Sequence, residues 1–125
     1  RASLWSGTAA SWVDLNPTGS TLSVAYGVFG AIQVGTARIG GADRASLWFG
    51  TAASWVDLHA FLPAAFNYSE ARSISSDGFN IYVIGSGTNT QTGRNEALLW
   101  THPVPEPATI GVLTFGLALI ARRRR

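Results

Sequence analysis

The sequence predicts an all-β body built from repeated four-stranded units, followed by a single C-terminal transmembrane α-helix. Three observations carry this. A 15-residue segment recurs almost unchanged, short β-forming runs alternate with turn residues, and one uncharged run sits beside a block of arginines. The composition agrees, with 46% hydrophobic residues, 13% charged residues, 14 glycines and five tryptophans in 125 residues. Such a chain is rich in strand formers and turn formers and poor in the residues that fill exposed helices.

The recurring segment is RASLWSGTAASWVDL at residues 1–15, which returns as RASLWFGTAASWVDL at residues 44–58, with Ser6 replaced by Phe49. Trp5 and Trp48 are thus 43 positions apart, and EALLW, ending at Trp100, reads as a third, weaker start. The second halves align as well. Ala25 meets Ala71, Val28 meets Ile74, Val34 meets Ile84 and Gly35 meets Gly85. The organisation expected is a unit at 1–43, a unit at 44–95 and the first strand of a third at 96–101. A Pro-rich linker at 102–107 and the tail at 108–125 follow.

Within the first unit the expected strands cover residues 2–5, 11–15, 25–28 and 32–38. Ser6-Gly7, Asn16-Pro17-Thr18-Gly19, Phe29-Gly30 and Gly40-Gly41-Ala42-Asp43 separate them, supplying the preset and positive φ values of tight turns. Four strands in a unit of this length match a β-propeller blade. One sheet cannot bury both faces alone, so each unit needs neighbours. A partial β-propeller is the expected architecture. A β-sandwich or a solenoid would use the same strands. The chain opens in mid-pattern at Arg1, and more copies are expected upstream, because known rings use about 4–8 blades.

The aromatic strand, W-x-G, DL and A-x-x-V/I-x-x-x-G-x-x-V-G, in that order, resemble the bacterial extracellular HAF repeat, itself similar to propeller blades. The likeness covers residues 1–101. It departs at the His-Ala-Phe of that family, where this chain has Arg1-Ala2-Ser3 and Arg44-Ala45-Ser46. That family carries no defined activity to transfer.

Charge and motif exclude several function classes. The nine basic residues are all arginine. Five lie in residues 1–105 against six acids, and four lie in residues 106–125 against Glu106 alone. The body therefore lacks a basic face for nucleic acid. Cysteine is absent, so there is no thiol nucleophile or thiolate metal site.

His59, past the VDL strand, reads as a solvated turn residue, and His102 as a linker residue beside Pro103. Neither has a second ligand at helical or hairpin spacing, so no metal or cofactor site is expected. GSG at residues 85–87 reads as a turn. Asp14 and Asp57 recur with the unit, which assigns them to strand ends, accepting hydrogen bonds from turn amides. Asn67-Tyr68-Ser69 fits a glycosylation sequon. Trp5, Trp48, Trp12 and Trp55 read as packing residues between sheets, with a carbohydrate-stacking surface as the alternative. No catalytic residue is assigned, and an enzyme is not expected.

The tail VPEPATIGVLTFGLALIARRRR has three parts. Pro103, Pro105 and Pro107 make residues 101–107 extended. Residues 108–121 carry no charge. Arg122, Arg123, Arg124 and Arg125 follow. The run is apolar on all sides rather than striped, and arginines at its end can snorkel to a membrane interface. Fourteen residues are short of the roughly 20 that span a bilayer as a helix. Positive residues stay cytoplasmic, so the arginines would lie inside and the body outside.

These parts, in this order, resemble the PEP-CTERM protein-sorting signal of Gram-negative bacteria, covering residues 104–125. The resemblance implies an exported substrate of exosortase, an integral-membrane protease-transpeptidase. Pro105, Glu106 and Pro107 would be its recognition elements. Ile110, Val112, Leu113, Phe115, Leu117, Leu119 and Ile120, with the four arginines, would anchor the chain in the inner membrane until release to the cell surface. The body would serve as a binding or structural module, with exopolysaccharide or matrix as ligand class. The alternatives are a secreted enzyme whose catalytic domain lies upstream, or an adhesive or ice-binding surface protein, since this tail type also occurs on ice-binding proteins.

Overall fold

A computed structural model of the chain describes residues 1–104 and the backbone of Gly116–Ala118. The strands are β1 (Ser3–Leu4), β2 (Val13–Asp14), β3 (Leu22–Phe29), β4 (Ile32–Ile39) and β5 (Ala42–Trp48). They continue with β6 (Val56–Asp57), β7 (Phe66–Ser76), β8 (Asn80–Asn89), β9 (Arg94–Pro103) and β10 (Gly116–Ala118). Short 3-10 turns lie at Ala9–Ser11, Ala52–Ser54 and Leu58–Phe61. Among the described residues all pairing is antiparallel. β1 and β2 form a ribbon, one sheet runs β3-β4-β5-β6, and the other runs β7-β8-β9-β10.

Local chemistry fixes the sheet boundaries. Gly40 and Gly41 both have positive φ, 63° and 81°, and join β4 to β5 in the two-residue turn that pairs Ile39 with Ala42. That tight turn makes residues 42–48 the third strand of the first sheet. The sheets therefore run out of phase with the sequence period. The boundary expected at residue 43 falls inside β5, and β5–β6 complete a sheet that β3–β4 begin.

β4 is buried along most of its length because it is covered on both faces. On one side it meets the second sheet, whose first strand β7 lies against β3, β4 and β5. Val34, Leu47, Leu58, Ala71, Val83, Leu98 and Trp100 fill that space. On the other side a smaller cluster of Ala2, Leu15 and Trp48 joins the ribbon to the first sheet.

Gly35 and Gly85 hold matched places in β4 and β8. A Cβ on either would sit 1.9 Å from a backbone oxygen, that of Val24 or of Glu70. Each faces a bulge in the neighbouring strand, at Ala25/Gly27 or Ala71/Ser73. The GSG at residues 85–87 is thus strand, not turn: its first glycine admits the close approach of β7.

Two expectations of architecture are corrected. The body is all-β with four-stranded antiparallel sheets, but the described residues form no closed barrel or propeller. Two sheets and a ribbon are too few to close a ring. Nor is any helix of the described residues long and apolar enough to cross a membrane. Of the helix expected over residues 108–125, the described part is β10, extended and paired with β9. The physical reason is the outer edge of β9, whose N–H and C=O groups bond the tail backbone.

Candidate functional site

Two regions invite a functional reading, the polar relays that join successive sheets and the C-terminal segment. The relays are built on the recurring segments. Asp14 Oδ1 accepts from the Asn16 amide at 2.9 Å, and Asp57 Oδ1 accepts from the His59 amide at 3.1 Å. Each carboxylate is also paired with its arginine, Arg1 with Asp14, and Arg44 with Asp57 at 2.7 Å. These are the turn-amide roles expected for the two aspartates. The Asn16 amide, followed by Arg1, holds the Asp14 carboxyl below its ordinary range.

Beyond the turn, the buried Ala2 amide donates to Ser23 Oγ at 2.9 Å, and Ser23 Oγ donates to Asn16 Oδ1 at 2.6 Å. The second copy replaces Asn16 with His59. The Ala45 amide donates to Ser69 Oγ at 2.9 Å, and Ser69 Oγ lies 2.6 Å from His59 Nδ1. His59 Nε2 lies 3.1 Å from the Phe66 carbonyl oxygen. That carbonyl can only accept, so Nε2 carries the proton and Nδ1 accepts from the serine hydroxyl.

His59 is therefore a half-buried latch, not a solvated turn residue. Burial, then the nearby Arg44 charge, push its pKa below the ordinary value. Ser69, His59 and Asp57 do not form a nucleophilic set. Ser69 is fully buried, its oxygen accepts an amide proton, and Asp57 bonds the His59 backbone rather than its ring. The sequence signal for the latch lies in the repeat: the period that sets Trp5 against Trp48 also sets Asn16 against His59, and the offset that sets Ala25 against Ala71 sets Ser23 against Ser69.

A second bridge runs between β3 and β7. The Arg72 guanidinium lies 4.4 Å from the centre of the Tyr26 ring and pairs with Glu70 at 2.6 Å. Burial, then a hydrogen bond with Glu70, push the Tyr68 hydroxyl up to about 12. In the sequon, Ser69 is buried and committed to its relay. His102, expected in the linker, lies in β9 opposite Ile81 and is buried.

The tryptophans divide. Trp48 and Trp100 are fully buried, and Trp100 Nε1 donates to the Leu58 carbonyl at 3.1 Å. Trp55 is half-buried and donates to Ser46 Oγ. Trp5 and Trp12 are exposed, 57% and 50%, so the packing role expected of them is not met by any neighbour among the described residues. Trp5 lines a shallow groove with Leu4, Ala25, Tyr26 and Val28. No cluster of three metal-ligating side chains occurs among the described residues.

Of the expected tail residues, Leu117 lies in β10, where its backbone pairs with Trp100. Pro105, Glu106, Pro107, Ile110, Val112, Leu113, Phe115, Leu119, Ile120 and Arg122, Arg123, Arg124 and Arg125 lie outside the described residues.

Comparison with known proteins bears on this segment alone. No curated protein matches the chain, and no solved structure does. The HAF-type likeness of residues 1–101 and the ice-binding association gain no support. Residues 103–125 match the family described as the PEP-CTERM protein-sorting motif. That motif implies export, processing at a membrane and exosortase as the processing partner. The chain carries a PEP-CTERM sorting signal behind an all-β body.

Proposed function

We propose that this is a cell-surface-directed protein whose tail holds it in the inner membrane, arginines inside, until exosortase acts at or near residues 105–107. The observation that carries the reading is the motif match at residues 103–125. It coincides with three physical features that have no reason to co-occur in a packed domain. A Pro-Glu-Pro sequence, whose prolines disfavour helix, suits a protease cleft, which binds strands. The apolar run favours the bilayer, and Arg122–Arg125 favour its cytoplasmic face.

The body is a binding or structural module, with exopolysaccharide or matrix as ligand class. Support comes from Trp5 and Trp12, whose exposed rings offer the stacking surface that sugars use. The polar relays are structural, and the proposal assigns them no catalysis.

The test is Glu106→Ala, expressed in a host that carries exosortase. The wild-type chain is expected at the cell surface or in the medium, shortened. The variant is expected at full length in the membrane fraction. Normal processing and release of Glu106→Ala would sink the reading.

A further inference from the structure

The outer edge of β9 is occupied by the sorting tail itself. β10 pairs antiparallel with β9, setting Gly116 against Thr101, Leu117 against Trp100 and Ala118 against Leu99. This position has a counterpart in the first sheet. There the outer strand is β6, and it pairs Val56 with Leu47, the residue before Trp48. Leu99 is likewise the residue before Trp100. Leu47 faces Val34 on its inner side, and Leu99 faces Ile84. The tail thus fills the fourth-strand place in the register that a VDL segment fills in the other sheet.

We propose that the β9 edge is a docking strand for residues 116–118, so that the tail exchanges between the sheet and the membrane. This rests on the sorting reading above. A ten-residue strand left bare would present a row of unpaired backbone groups, a template for other chains. The docked segment covers part of that row. The same backbone groups cannot pair with β9 while the segment lies in a bilayer, where every backbone group must be satisfied internally. The two states exclude each other, and a three-residue ladder is short enough to let go. The body therefore acts as a holdfast for its own signal before membrane delivery.

Because the chain has no cysteine, one engineered pair reports one contact. The full-length double variant Thr101→Cys, Gly116→Cys places thiols on directly opposed residues. The control is Thr101→Cys, Leu117→Cys, which is out of register, because Leu117 pairs with Trp100 and not with Thr101. In detergent-free buffer under mild oxidation, the opposed pair is expected to cross-link at least about tenfold faster than the control. Once oxidised it should fail to float with vesicles of phosphatidylethanolamine and phosphatidylglycerol. Reduction should restore floating, which also shows that the variant is intact.

Equal cross-linking of the two pairs overturns the docking. Vesicle binding by the oxidised form, or none by the reduced form, overturns the exchange. Failure of the sorting reading would show separately, as a wild-type chain that exosortase leaves uncut, with the cross-link still forming.

Discussion

Residues 1–15 and 44–58 differ at one position and fold alike locally, yet they meet different fates. Both carry a 3-10 turn entered through a threonine in extended conformation, Thr8 at φ −135° and Thr51 at φ −140°. In both, the residue after the first tryptophan donates its amide to a serine at 2.7 Å, Ser6 to Ser11 and Phe49 to Ser54. But Trp5 is 57% exposed and Trp48 is fully buried. The difference lies in the neighbours. Trp48 faces Leu15 and Ala2 of the ribbon, as Trp100 faces Leu58 across the next interface. Trp5 has no such sheet beside it among the described residues. Local sequence sets the turn and the hydrogen bonds, and the adjoining sheet sets the burial.

The largest expected break in this comparison follows at once. Trp48→Ala should cost about 3–5 kcal/mol of stability, because it empties a space between two packed layers. Trp5→Ala, the same change at the matched position, should stay within about 1 kcal/mol. Urea unfolding of the two variants measures both. Equal losses would mean that the ribbon is covered in solution as the first sheet is.

An intermediate effect is expected at the relay serines. Ser69→Ala leaves the Ala45 amide unpaired inside the main core and removes the hydrogen-bond donor to His59. A cost of about 1–3 kcal/mol follows from the stranded amide alone. Ser23→Ala strands the Ala2 amide in the same way, but it ties down only the ribbon. Hydrogen exchange should separate them. Ser69→Ala should lower protection across both sheets, whereas Ser23→Ala should lower it in residues 2–15 and leave β7 to β9 unchanged. A uniform loss from Ser23→Ala would mean that the ribbon is part of one cooperative unit with the sheets.

The same two regions show what could be read from the sequence. Strand content, the turn at Gly40-Gly41 and the roles of Asp14 and Asp57 were legible, because each depends on residues close in the chain. So was the match of Gly35 to Gly85, although its cause was not. Only the paired strands reveal that both glycines face a bulge, and hence that residues 85–87 are strand. Sheet phase was illegible from the repeat alone, since a period says how often a pattern returns and not which hairpin closes first. His59 was misjudged for a related reason. Its neighbours in sequence are a turn, but the serine that it binds is ten residues on, in the next sheet. The tail motif was legible because its features are contiguous. Its pairing with β9 was not, because apolar composition alone does not separate a membrane segment from an edge strand.

The smallest effect expected is also the most selective, since it separates the two relays by chemistry rather than by packing. Asn16 Oδ1 and His59 Nδ1 play one part, each accepting from a serine hydroxyl, but only the imidazole can take up a proton. In the unfolded chain it does so near its ordinary pKa of 6.5, whereas burial and Arg44 hold the folded ring neutral at lower pH. Below 6.5 the unfolded state therefore binds more protons than the folded state, and stability falls as pH falls. Above 6.5 both states are neutral, and the contribution is complete. Asp14 and Asp77, whose carboxyls lie below their ordinary value of 3.8, lose their contributions only in more acid solution. The urea midpoint of the wild-type chain should thus decline between about pH 7 and pH 5, the imidazole range. His59→Asn, which copies the ribbon relay into the sheet, should flatten that decline. Asn16→His should steepen it only if the ribbon unfolds together with the sheets, the same cooperativity that Ser23→Ala tests by exchange. A wild-type midpoint that is flat across this range would mean that the His59 ring keeps its ordinary pKa, and that the two relays are electrostatically alike.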